Sequence, residues 1–149
     1  MCLCEVAAYC KKNNRTLWDM MLEMYEEYGY FKETQYTITL KGIDGSKQIA
    51  AIMDKLRQNP PKAIGEAKVL RFRDYQEDKV IDMETGAESK TGLPKSNVLY
   101  FELPDNCWCC ARPSGTEPKI KFYMGVVGSS LEDAQAKVEQ LTEDLKALL

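Results

Sequence analysis

Ala111-Arg112-Pro113-Ser114-Gly115-Thr116-Glu117-Pro118-Lys119 lies between two apolar, strand-like runs, Cys107 to Ala111 and Ile120 to Val127. Read physically, the stretch is a turn suited to an oxyanion. Arg112 offers a permanently charged planar fork that matches phosphate oxygens two at a time. Ser114 and Thr116 add hydroxyl donors, and Gly115 can adopt positive φ without steric cost, which lets neighbouring backbone N–H groups converge into a nest. Pro113 and Pro118 stiffen both ends. Lys119 and Lys121 add positive charge, whereas Glu117 would repel a phosphate and must point away or orient a cation. By composition alone, the same residues also suit an ordinary hairpin connection with a solvated Arg.

Working outward, Ile120, Phe122, Met124 and Val126 alternate into a core, and Gly128 ends the strand. Ser129 with Glu132 reads as a capping box for a last helix, whose apolar face carries Leu131, Ala134, Val138, Leu141, Leu145 and Leu148. Upstream, Asn97 to Leu103 alternates with Leu99, Phe101 and Leu103 inward, and Pro104-Asp105-Asn106 is a tight turn back to Cys107. Residues 76–96 are polar and turn-rich and read as an extended excursion, with Asp78, Asp82, Glu84 and Glu88 as solvating charge. Residues 67–75 give a strand with Leu70 and Phe72 inward and Arg71 and Arg73 on a solvated face. Residues 34–40 give another, with Tyr36, Ile38 and Leu40 on one side. Between these two strands a helix runs to Asn59, capped by Asp44, with Ile49, Ile52, Met53 and Leu56 on its buried side and Pro60-Pro61 as its stop.

The N-terminal residues differ in character. Leu3, Val6, Ala7 and Cys10 follow one helical face, and Asn13-Asn14 makes a turn. Thr16 caps a second helix with a Leu17, Met21, Met24 and Tyr28 stripe, stopped by Gly29. Two such helices cannot bury both apolar faces alone, so the stripe is expected to pack on the rest of the chain or on another copy. The fold implied is α+β: about five antiparallel strands with two long helices on one face, preceded by this helical pair. Phe31-Lys32-Glu33 is the candidate boundary, dividing residues 1–30 from 31–149.

The 149 residues are 44% hydrophobic and 29% charged, ordinary for a globular chain. A net charge of −3 argues against a broad nucleic-acid surface but leaves room for one local basic pocket. No apolar run is long enough to span a bilayer, and no signal peptide is read, so the expectation is a cytoplasmic protein with reduced thiols. The six Cys are read as small hydrophobes rather than a metal or redox centre. There is no His, which excludes nucleophile–His pairs within this chain.

Arg112-Pro113-Ser114-Gly115-Thr116-Glu117-Pro118-Lys119 resembles the phosphate-binding signature of the α-D-phosphohexomutases, the phosphoglucomutase/phosphomannomutase family. In that family it sits in the fourth domain. Cys4-Glu5-Val6-Ala7-Ala8-Tyr9, Thr16-Leu17-Trp18-Asp19 and Tyr28-Gly29-Tyr30 resemble the end of its third domain, so the likeness covers essentially the whole chain. The resemblance implies a TATA-binding-protein-like α+β domain at 31–149 after a helical remnant at 1–30. It implies that Arg112, Ser114, Gly115, Thr116, Lys119 and Lys121 bind the non-reacting phosphate of a sugar phosphate, with neither nucleic acid nor membrane as partner. The family's serine loop, Asp-rich metal loop and Glu-x-Ser motif are absent. Mg²⁺ and a hexose bisphosphate are therefore expected only of a full-length enzyme, and this fragment alone is expected to be inactive. The sugar, whether glucose, mannose or pentose, is left open. The alternative reading is a non-catalytic α+β protein-interaction module.

Overall fold

Alternation from Lys119 to Met124 makes β9 (Lys119–Gly128), ten residues long, the spine of the molecule. Ile120, Phe122 and Met124 are fully buried, so one face of β9 is committed to the core. The computed structural model describes residues 1–149, the Ile43 side chain excepted. In chain order the other elements are α1 (Cys2–Lys12), α2 (Leu17–Tyr28), β1 (Tyr30–Thr39), α3 (Gly42–Gln58), β2 (Ala63–Ile64), β3 (Ala67–Lys68) and β4 (Arg71–Asp74). They continue with β5 (Lys79–Asp82), β6 (Glu88–Ser89), β7 (Leu99–Glu102), β8 (Trp108–Pro113) and α4 (Leu131–Leu148).

Seven strands form one sheet in the order β1-β9-β8-β7-β4-β5-β6, antiparallel throughout, and β2 and β3 make a separate two-stranded ribbon. Ile49, Met53 and Leu56 of α3 and Val138, Leu141 and Leu145 of α4 enter the same cluster as Leu99, Phe101 and Phe122. Both helices therefore lie on one face, and the other face is left open. The α+β class, the antiparallel sheet and the one-sided helices are as expected.

The differences have local causes. The polar stretch at 76–96 is not a bare excursion, because β5 and β6 form within it and extend the sheet to seven strands. Its carboxylates organise turns: Asp82 accepts the N–H groups of Glu84 and Thr85, and Asp78 accepts the Thr91 hydroxyl and the Gly92 N–H. Leu70 faces outward at 40% exposure, while Val69 is fully buried, because the strand expected at 67–75 breaks between β3 and β4 and changes parity. Lys41, not Asp44, is the N-cap of α3, and Asp44 sits in its first turn. The α4 cap lies one residue later than expected, with Ser130 accepting the Asp133 N–H. The Asp133 carboxylate also reaches back to the Ser129 N–H.

The N-terminal helices form as expected, and a reciprocal Thr16–Asp19 capping box starts α2. Cys10 is the only buried residue of α1, and α2 buries none. The pair meets the sheet where Tyr25 stacks on Tyr30, at a ring separation of 5.6 Å. Leu17, Met21, Met24 and Tyr28, the expected stripe, stay exposed together with Trp18, so the sheet domain does not cover that stripe.

Asp74 is the one buried charged residue among those described. It accepts from Arg57 Nε at 2.8 Å and from the Gln76 N–H at 2.9 Å, while Arg57 also donates to Asn97 at 2.8 Å. This network fastens the end of α3 to the segment that leads into β7.

Candidate functional site

Strand alternation decides which side chains reach the open face. Cys109 and Ala111 point into the core, so Trp108, Cys110 and Arg112 point out. On β9 the outward positions are Lys121 and Tyr123, and the register sets Arg112 directly opposite Lys121. Like charges facing each other across a strand pair are unfavourable. Neither cation has an ion-pair partner among the described residues, and Arg112 is exposed.

The hairpin between these strands closes through the Ser114 N–H, which donates to the Lys119 carbonyl at 2.8 Å. Ser114 Oγ accepts the Thr116 and Glu117 N–H groups at 3.4 and 3.3 Å. Those two amides are thus turned into the loop, and Gly115 is not at positive φ. The nest expected around Gly115 does not form. Arg112, Ser114 and Gly115 line the hollow beside the loop, and the Gly115 N–H has no partner among the described residues. The back of the loop is held where the Leu40 N–H donates to the Pro118 carbonyl at 2.9 Å.

A pocket of about 280 Å³ opens beside the loop, lined by Arg112, Ser114, Gly115, Lys119, Lys121 and Tyr123. Five of the six residues singled out from the sequence therefore converge. Thr116 is exposed at the loop tip and does not line this pocket. Glu117 turns to Lys119 and pairs with it, and that ammonium, with Lys121 adding to it, holds the Glu117 carboxyl below the usual carboxylate range. Lys119 is thereby partly neutralised, which leaves Arg112 and Lys121 as the uncompensated charge. Tyr123 was not singled out from the sequence, although its alternation with Lys121 could have placed it on the same face.

A larger cleft of about 580 Å³ lies on the helix side, between α4 and the β2–β3 ribbon, with Leu103, Val126 and Leu141 among its walls. Its one lysine, Lys137, is already engaged by the Val127 carbonyl and Asp133. The uncompensated positive charge is at the smaller pocket. Cys107 and Cys110 have C-x-x-C spacing. Cys107 packs against the core cluster while Cys110 lines the open face, so the two thiols do not converge. Among the described residues, no three His, Cys, Asp or Glu side chains group as a metal site requires.

No family model matches the chain. Phosphoglucomutase of Staphylococcus aureus (strain bovine RF122 / ET3-1) is 36% identical over 135 residues, which cover 91% of this chain and 24% of the relative. The chain is homologous to phosphoglucomutase. It spans about a quarter of the length of the curated relatives it matches, so the homology is to one part of that enzyme. The phosphoglucomutase of strain MRSA252 gives 35% identity over the same coverage. A solved structure from Paramecium, the open form of the phosphoprotein pp63/parafusin, a phosphoglucomutase, superposes with a TM-score of 0.51 at 13% identity. That match covers 95% of this chain and 25% of the other, and it supports the fold. No described helix is long and apolar enough to cross a membrane.

Proposed function

We propose that this chain is the phosphate-gripping C-terminal domain, residues 31–149, of a phosphoglucomutase-like enzyme, preceded by a helical remnant at 1–30. The observation that carries the reading is the uncompensated Arg112–Lys121 pair at the mouth of the Ser114 loop. Keeping two cations side by side costs stability, and a bound dianion would relieve that cost. A guanidinium fork, a hydroxyl and an amide recognise a tetrahedral anion irrespective of the sugar it is attached to. That indifference suits a grip on the non-reacting phosphate while a sugar phosphate is isomerised. Anchoring there assists catalysis by positioning, not by making bonds.

The residues of this chain bind and orient, and none forms a bond to phosphorus. Mg²⁺ belongs in this reading to the full-length enzyme, and no step is derived through it here. A mutase assay on this chain alone is expected to show no turnover. The cytoplasm is the expected location of such an enzyme.

Phosphate titration followed by amide NMR tests the grip. Charge-assisted contacts of about 1.5–3 kcal/mol each, less the cost of association, give a Kd of about a millimolar. Shifts should centre on residues 112–121 and vanish in Arg112→Ala, with the fold retained. Shifts that spare this segment would overturn the assignment.

The exposed Trp18, Met21 and Met24 stripe adds a proposal that the N-terminal helices associate with a second copy. Light scattering should then report a mass that rises with concentration and returns to monomer in Met24→Glu. A constant monomer mass would exclude it.

A further inference from the structure

The sheet has two edges, and they are finished differently. β6 closes one with two exposed residues, Glu88 and Ser89, too short a strand to take another. β1 closes the other with ten residues that pair with β9 one to one, without a bulge. Its only charges, Lys32 and Glu33, stand near its start. Thr34-Gln35-Tyr36-Thr37-Ile38-Thr39 carries no charge, no Pro and no Gly, the composition that adds strands most readily. The outer backbone groups of this run have no partner among the described residues.

We propose that the β1 edge is where a second copy of this chain docks, its own β1 running antiparallel across a two-fold axis at Thr37, so that two seven-stranded sheets become one. The inference rests on the second-copy reading of the N-terminal helices. It goes beyond it by naming a further contact of the same dimer, with a register. α2 enters β1 through Gly29 alone, so a copy held on the α2 stripe is held beside this edge, and strand pairing becomes an intramolecular step.

The two-fold restricts the pairing. Residues that face each other must be equidistant from the axis and share a face of the sheet, so each register is centred on one residue. On the helix side, centring on Thr37 sets Tyr36 against Ile38 of the second copy. Both residues already pack against the core cluster, so the apolar layer continues across the axis. On the open face it sets Gln35 against Thr39, and Thr37 against its own copy. At each end it sets Glu33 against Lys41. Lys41 is still extended, at φ −108° and ψ 144°, and so continues the line of the strand. Both side chains are exposed, and neither has an ion-pair partner among the described residues. Centring on Gln35 or Tyr36 would leave Glu33 facing a Thr, and centring on Glu33 would oppose two carboxylates.

Hydrogen exchange and light scattering on the 149-residue chain test the edge. At concentrations where the mass is dimeric, amides within 34–39 should exchange about tenfold more slowly than in the dilute monomer. Glu33→Lys and Lys41→Glu should each weaken the dimer about tenfold, because each sets like charges opposite at both ends of the pair. The double variant Glu33→Lys/Lys41→Glu should restore wild-type affinity, which a merely structural effect of either substitution would not do. A dimer whose β1 amides stay unprotected, or one indifferent to either reversal, would overturn the edge pairing and leave the helical contact standing. A double variant no tighter than the single ones would overturn the Thr37 register. A mass that stays monomeric at every concentration would remove both contacts. The exchange arm needs no variant, so it decides the question even if a substitution unfolds the chain.

Discussion

Gly125→Ala is the most informative single perturbation of the open face. Gly125 lies opposite Trp108 in the β8–β9 register. A Cβ there would stand 2.3 Å from the indole Nε1 and 2.5 Å from Cε2, well inside contact distance. The indole must lift, and its stack on Tyr100 must break. Overpacking costs about 1–3 kcal/mol, and losing an aromatic pair about 0.5–1.5 kcal/mol. Removing a glycine from the unfolded chain returns about 0.4–1 kcal/mol. The net loss is roughly 2 kcal/mol, or about 4–8 °C in Tm for a chain of this size. Urea denaturation in a Trp18→Phe background isolates Trp108, whose emission should move to the red as the ring is released. Gly115→Ala is the control, since nothing lies within 4 Å of the added carbon and φ there is unexceptional. It should cost nothing. If Gly125→Ala matches wild type in both stability and emission, the indole does not rest on that glycine and the reasoning fails.

Glu117→Gln should release Lys119 and strengthen phosphate binding in the amide titration, because their ion pair competes with the ligand. Weaker binding would mean that Glu117 organises the loop rather than restraining it. Alkaline pH should destabilise the fold through two strand thiols. Burial pushes Cys109 up to about 12 and Cys110 up to about 11, above the 9.0 of an exposed thiol. As pH rises from about 9 towards 11, the unfolded chain gives up these protons first, so it binds fewer than the native state and stability falls. Denaturation midpoints measured across that range should decline, and the decline should be shallower in Cys109→Val. An identical slope in that variant would remove Cys109 from the explanation.

The sequence by itself determined the parts governed by local chemistry. The alternation of Ile120, Phe122 and Met124 in β9, the Leu99–Phe101–Leu103 face, the Thr16 cap and the turn at Asp105-Asn106 each follow from side-chain period or turn preference. The same local reading placed Arg112, Ser114, Gly115, Lys119 and Lys121 within a single short segment. It misjudged Leu70 because a break between two short strands shifts parity by one, and nothing within residues 67–75 marks where that break falls. It missed β5 and β6 because β5 is only four residues long with Val80 alone fully buried, and β6 is an exposed two-residue strand at the sheet edge, so neither is long enough to show an apolar period. Long-range packing places Arg112 opposite Lys121, Glu117 against Lys119, and Tyr123 in the wall of the loop pocket. Those facts depend on strand register, which is set by pairing between distant residues and by a core that admits one face of each strand.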